Sequence, residues 1–363
     1  MKNFNNKKIY YFLAIFIFAL LIFLLSKITL NFFSKSILKK NYYNFVKEKI
    51  NKVHHIRSMN SKICQNNRNL DCFLFTQLDE LKQFDQKVIF NGDSWAEQIL
   101  THQKLNENKN NNKIFALGNE LKMNFILSGV SSYSPSLMLA QYNLLVDEYK
   151  IIPKYIISIF DQSDFGDELC RYKELRYKKN NKIYVKNYSD NKYINDPFNY
   201  IRDMELANIF YSESLDIVKV FKIGYLKIKQ RFQKKIIKKC PYKNISAKIK
   251  NKLSKNEEDY IINIINEYID TVFQNDNLEK LFIVTHPHKQ NLTGYYENDI
   301  SVIVKKAIEN NMNKNNIKLI NFEHNYFNLS DFINEDPSSH LKDNSYEKYL
   351  NRIFNEFKME VKK

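Results

Sequence analysis

The sequence predicts an α/β fold, a parallel sheet with helices on both faces, and three observations carry that expectation. Short β-prone apolar runs alternate with stretches of helical spacing from Lys87 onward, the pattern of strands joined by crossover helices. The runs end in turn residues, at Asn91-Gly92, Ser128-Gly129 and Asp161-Gln162-Ser163. With 44% of its 363 residues hydrophobic, the chain holds enough apolar material for a sizeable core, which excludes wholesale disorder.

The elements follow in order. Lys87–Phe90 (KVIF) is a short strand, and Trp95–Leu105 a helix after it. Asn124–Leu127 is the next strand, and Pro135–Tyr149 has helical spacing with Leu137, Leu139, Leu144 and Val146 available for packing. Lys154–Phe160 (KYIISIF) is strongly β-prone. A helix at Asn256–Phe273, a strand at Leu281–Thr285, a helix at Asp299–Asn311, a strand at Ile317–Asn321 and a helix at Ser345–Phe357 complete the alternation. Sheets of this kind place their sites at the carboxyl ends of the strands.

The formal net charge of +16 suggests at first a nucleic-acid partner or an anionic surface. Its distribution decides. Of 56 basic and 40 acidic residues, 7 and none lie in residues 1–40, and 21 and 7 in residues 169–250. That leaves 28 basic and 33 acidic elsewhere, a net of −5. The first basic feature flanks an apolar run, Ile9–Leu25, extended by Ile28–Phe33, long enough to span a bilayer as a helix. The expected organisation is therefore a basic N-terminus at 1–8, a single transmembrane anchor at 9–33, a juxtamembrane spacer at 34–86 and an α/β domain at 87–363. A basic, mainly helical insertion occupies 169–250. A short basic N-terminus that stays inside sends the domain out, so the expected location is the membrane, with the domain extracytoplasmic. Export argues against nucleic acid.

Export also permits disulfides. Cys64 and Cys72 enclose a short polar loop, and Cys170 and Cys240 flank the basic segment. Four cysteines allow three connectivities, and the sequence leaves them open. No CxxC pair suggests zinc.

The strand ends carry the chemistry. Gly92-Asp93-Ser94-Trp95 lets the chain turn sharply and sets Ser94 at a helix N-terminus, where a base would make it a nucleophile and backbone N–H groups face an oxyanion. The same residues are ordinary turn and cap formers. Gly129 stands where a backbone comes close to something and offers a second oxyanion N–H. Asp161-Gln162-Ser163-Asp164, followed by Asp167 and Glu168, crowds carboxylates at one strand end. They either face solvent or pair with cations such as Arg171. His286 and His288, in HxH spacing, can bind a metal or line a pocket; the acids show no regular ligand spacing, and no cofactor is expected. Asp336 and His340, before the last helix, have the makings of a base with its orienting acid.

Taken together, in chain order, these blocks resemble the SGNH (GDSL-like) hydrolase superfamily over about Lys87–Phe357. The resemblance implies a flavodoxin-like three-layer sandwich. It also implies a Ser94–His340–Asp336 triad and an oxyanion hole formed by Ser94, Gly129 and Ser163. Asp93, Trp95, Asp161, Gln162, Asp164, His286 and His288 are candidate pocket residues. Two positions depart from the family pattern. Ser163 stands where the third block (GxND) has Asn, implying a weaker hole, and three residues rather than two separate Asp336 from His340. An anchored domain of this type is similar to proteins acting on acyl groups of bacterial surface polysaccharides. The expected activity is thus a serine esterase or O-acyl (acetyl) transferase, on an acylated polysaccharide or small ester. The alternative is a non-catalytic domain that binds an anionic polysaccharide or membrane surface, for which the basic stretch at Asp216–Lys239 is suited.

Overall fold

The computed structural model describes residues 15–22, 42, 44–46, 48–57, 63–64, 70–102, 113–186, 253–290, 292, 299–334, 336 and 339–363. Among the described residues eight strands form two sheets. The larger has the order β1-β3-β2-β4-β7-β8, with β1 Thr76–Gln77, β2 Gln86–Gly92, β3 Met123–Leu127, β4 Tyr155–Phe160, β7 Lys280–Thr285 and β8 Ile317–Asn321. The five longer strands pair in parallel, while β1 runs antiparallel along β3. Counted in chain order, the parallel strands run 2-1-3-4-5, the flavodoxin-like doubly wound order. Its switch point lies between β2 and β4, where the direction of winding reverses.

Residue alternation along each strand explains the two helical layers. Val88 and Phe90 of β2, with Ile157 and Ile159 of β4, pack against α1 (Ser94–His102), α2 (Lys113–Leu121) and α6 (Asp343–Val361). Ile89, Ile156 and Ile283 face the opposite layer, built from α3 (Pro135–Asp147), α4 (Lys255–Val272) and α5 (Ile300–Glu309). The helix starts are set by local chemistry. Pro135 opens α3, where its fixed φ suits the first turn. Ser254 and Glu257 form a capping box for α4, and the Asp299 side chain accepts from Ser301 N at α5.

Several strand and helix bounds lie within two residues of the expected ones. The structure adds α2, the edge strand β1 and a second sheet, the hairpin β5 (Arg176–Lys179) and β6 (Lys182–Val185). Of the basic segment, residues 169–186 are described, a helical turn ending at Tyr172 followed by that hairpin; residues 187–250, including the amphipathic stretch, lie outside the described residues. The stretch expected as a spacer contributes to the body. Val46, Ile50, Val53 and Ile56 are buried in the α3/α4/α5 core, and Val53 bridges to Val185 of β6.

The expected membrane anchor requires correction. Of residues 9–33 only 15–22 are described, as helix. Among the described residues no helix is long and apolar enough to cross a membrane. The single-pass anchor, and the extracytoplasmic placement inferred from it, are therefore not supported. Cys64 and Cys72 are joined by a disulfide. Cys170 is also disulfide-bonded, to a partner outside the described residues.

Candidate functional site

The site gathers at the carboxyl ends of β2, β3 and β4, at the switch point. Gly92 ends β2 with φ +148°, and a Cβ there would lie 2.9 Å from both Ile159 O and Ala96 Cβ. Only glycine allows the chain to pass so tightly into α1. Ser94 is then the first residue of α1, partly exposed. Its Oγ donates to Asp93 Oδ2 at 3.2 Å, and Trp95 N donates to Asp93 Oδ1 at 2.8 Å. Gly129, two residues past β3, passes directly over that helix start. A Cβ on it would sit 2.6 Å from Ala96 C and Glu97 N.

His340 approaches from the loop before α6. Its Nδ1 donates to Asp336 Oδ2 at 2.5 Å, and its backbone N–H reaches the same oxygen at 3.2 Å. The extra residue between the two is absorbed locally. Ser339 takes φ +56°, Ile333 N donates to His340 O at 2.9 Å, and a β-bridge joins Phe332 to Leu341. The departure in spacing thus leaves Asp336 able to orient the ring. His340 Nε2 is buried and has no hydrogen-bond partner among the described residues. Ser94 Oγ and His340 Nε2 are not hydrogen-bonded to each other. His340 does interact electrostatically with Glu97, one turn beyond Ser94, and with His286. Tyr346 OH donates to Trp95 O at 2.6 Å, tying the start of α6 to the start of α1.

The third-strand loop does structural work rather than offering donors to the pocket. The Ser163 hydroxyl donates to Asp161 Oδ2, and Ser163 N reaches that oxygen at 3.3 Å. Its hydroxyl is thereby committed to Asp161 instead of the oxyanion position. Gln162 Oε1 accepts from Ile300 N at 2.9 Å, at the start of α5. Asp164 Oδ2 accepts from Asp161 N at 3.0 Å. These acids are not solvated: Asp161, Asp164 and Glu168 are buried. Asp167 pairs with Arg171 at 3.0 Å. Glu168 takes hydrogen bonds from Ser134 Oγ, Ser136 N and Oγ, and Tyr260 OH, at 2.6–3.2 Å. It thereby supplies acceptors at the N-terminus of α3.

Charge in this interior is arranged unevenly. Burial, then the neighbouring Asp161 charge, pushes the Asp93 carboxyl well above the usual range. Burial, then Asp93 and Asp161, does the same for Asp164. For Asp161 burial acts upward, but His288 and His286 outweigh it and hold the carboxyl low. Its Oδ1 is 3.6 Å from His288 Nε2 and 3.9 Å from His286 Nε2. His288 is raised because Asp161 and Gln290 outweigh its burial. His286, stacked on Trp95 with centroids 3.5 Å apart, is lowered to about 4, first by burial. Asp161 is thus held low by the two imidazoles, while burial pushes its neighbours Asp93 and Asp164 up. Among the described residues no group of three or more His, Cys, Asp or Glu is arranged to hold a metal ion.

Residues outside the sequence motifs complete the surroundings. Arg57 is fully buried: Nε and Nη2 donate to Gly129 O, Nη2 to Leu127 O, and Nη1 to Cys72 O and Thr76 Oγ1. Glu97 lies 3.5 Å from Arg57 Nε and accepts from Ser131 N at 3.0 Å. Burial raises its pKa against the pull of Arg57. Gln141, fully buried in α3, donates to Ser128 O at 2.8 Å and Leu74 O at 3.0 Å. No local pattern marks these three, because their partners are backbone atoms distant in sequence.

No protein-family model matches the chain, and no curated protein sequence matches it. Among solved structures, an acetyl xylan esterase (Est2A) from the rumen bacterium Butyrivibrio proteoclasticus is similar at 10% identity and a TM-score of 0.36. The match covers 77% of this chain and 65% of that one, just under two thirds of its length. LAE5, an α/β hydrolase enzyme from the metagenome of Lake Arreo, Spain, is similar at 7% identity and a TM-score of 0.34, over 75% of this chain and 94% of that one. Both neighbours are hydrolases; likeness at this level says nothing of this chain's substrate.

Proposed function

We propose that the chain is a serine ester hydrolase of SGNH type, with Ser94 as nucleophile, His340 as general base and Asp336 as its orienter. The observation that carries the reading is the Asp336–His340 pair. A carboxylate 2.5 Å from Nδ1 fixes the tautomer and leaves Nε2, the buried unpartnered nitrogen, to accept a proton. In the step itself Ser94 Oγ turns from Asp93, gives its proton to His340 Nε2 and attacks an acyl carbonyl carbon. Catalytic hydrogen bonds of this kind tighten when substrate binds. The carbonyl oxygen becomes an oxyanion that meets the N–H groups of Ser94 and Gly129. His340 returns the proton to the leaving alcohol, and water, activated by the same imidazole, releases the acid. A sugar hydroxyl in place of that water would make the reaction an acyl transfer. The substrate class is a short acyl ester, small or carried on a polysaccharide.

Hydrolysis of an aryl acetate and labelling by a fluorophosphonate probe test the reading. Unaltered protein is expected to turn over and to label at Ser94, and Ser94→Ala to do neither, with an unchanged unfolding midpoint. Equal rates for the two proteins would overturn it. Salt-sensitive binding of acidic polysaccharide by an unlabelled protein would favour the non-catalytic alternative.

A further inference from the structure

We propose that Arg57 and Gln141 are positioning residues for the oxyanion hole, holding the Gly129 loop by its carbonyl oxygens and so aiming the Gly129 N–H. The proposal rests on the serine-ester reading of Ser94. The loop after β3 is gripped along its whole length. Arg57 donates to Leu127 O at 3.1 Å and to Gly129 O at 2.7 Å, and Gln141 to Ser128 O at 2.8 Å. His55 Nε2 lies 2.9 Å from Ser131 O, and Tyr172 OH donates to Ser132 O at 2.7 Å. The remaining carbonyl, Val130 O, accepts from Tyr133 N at 3.1 Å.

Peptide planarity turns this grip into control of a donor. An N–H and the preceding residue's C=O belong to one rigid plane. The plane that carries the Gly129 N–H therefore has Ser128 O at its other end, in the hold of Gln141. The next plane has Gly129 O held by Arg57 and its N–H, on Val130, donating to Gly92 O at 3.2 Å. A hydrogen bond accepted by a carbonyl also polarises its peptide and strengthens the donor across the plane. Arg57 adds a buried positive charge on the side of the loop away from the solvent, with Glu97 3.5 Å away as its acid partner among the described residues. Fully burying a guanidinium is costly unless its donors are used, and here they meet three backbone carbonyls and a hydroxyl. Donors fixed before the reaction need no reorganisation when the oxyanion forms.

The test uses the full chain, an aryl acetate and phenylboronic acid, whose adduct with a serine mimics the tetrahedral species. Arg57→Lys and Gln141→Met are each expected to lower kcat about 10- to 100-fold, less than the 10²–10³ that follows loss of a donor itself. KM should stay within about twofold, and boronate affinity should fall in proportion to kcat/KM. A variant with unchanged kcat, or one whose loss sits in KM while boronate affinity holds, would overturn the proposal. If neither variant folds, the two side chains serve the fold alone and the proposal also falls. Absence of Ser94 labelling in the unaltered protein is a separate result, which removes the serine-ester reading itself.

Discussion

His286 sits between the Trp95 ring and the Asp161 carboxylate, with Tyr349 edge-on and His288 and His340 within electrostatic range. Burial keeps it neutral, with a pKa of about 4 against 6.5 when free. Between those values the unfolded chain binds a proton that the folded chain refuses, so stability falls as pH falls from 6.5 toward 4. His288 has the opposite sign: its raised pKa gives stability present below 6.5 and lost as pH rises through the folded value. His286→Phe, which keeps a ring against Trp95, is expected to remove the acid-side penalty. Urea unfolding at pH 7 and 4.5 would show the variant losing roughly 2–3 kcal/mol less than the parent on acidification. Equal losses would mean the imidazole titrates freely. At this scale the sequence displayed residue types but not their charge states. The acids of the third-strand loop were expected either to face solvent or to pair with cations such as Arg171, and Asp167 does the latter. They are buried: Glu168 meets the start of α3, Asp167 holds Arg171, and burial beside other acids pushes the Asp164 carboxyl well above its usual range.

The loop after β3 passes close over the start of α1. Gly129 touches Ala96 and Glu97 backbone atoms, so a methyl group there must push the loop and helix apart. Gly129→Ala is expected to cost about 1–3 kcal/mol, the usual range for overpacking, and to lower kcat more than a stability loss of that size explains. Thermal unfolding and aryl-acetate kinetics on one preparation separate the two effects. Full kcat in the alanine variant would mean the loop can move without consequence for the oxyanion. The parallel strands were legible because each is a short apolar run of the right length, three of them ending in glycine, serine or aspartate turns. The hairpin β5–β6 was not, since Arg176–Lys179 is RYKK and has no apolar alternation. Helix α2 escaped notice behind an Asn/Lys-rich stretch at residues 106–113. The apolar run at 9–33 shows the reverse: run length alone indicated a span that the described helix does not supply.

Across the whole molecule, packing and hydrogen bonds cross the boundary expected at Lys87. The motifs that carry Ser94, Gly129 and the Asp336–His340 pair lie beyond it, and the side chains that hold the Gly129 loop come partly from before it. His55 and Arg57 reach the loop from a segment with no motif, and Thr76 and Cys72 help to seat Arg57. The Cys64–Cys72 disulfide closes the same region. Sequence patterns report helix and strand periodicity well. They do not report which distant side chain will meet which backbone carbonyl.

The two-residue strand β1 has a consequence out of proportion to its length. Among the described residues it is the neighbour of β3 on that side of the sheet, pairing Thr76 with Leu127 and Gln77 with Ile126. Strand β3 is buried at all five positions, MNFIL. Stripped of β1, it would present bare amide and carbonyl groups along an apolar ribbon, a template for joining to another chain. A chain started at Gln86 is therefore expected to self-associate, eluting as large species in size-exclusion chromatography, whereas one started at Tyr42 should elute as the full chain does. Matching elution of the two shortened chains would contradict this. In the full chain, Thr76 and Gln77 act as a selvedge that keeps the sheet from fraying into its neighbours.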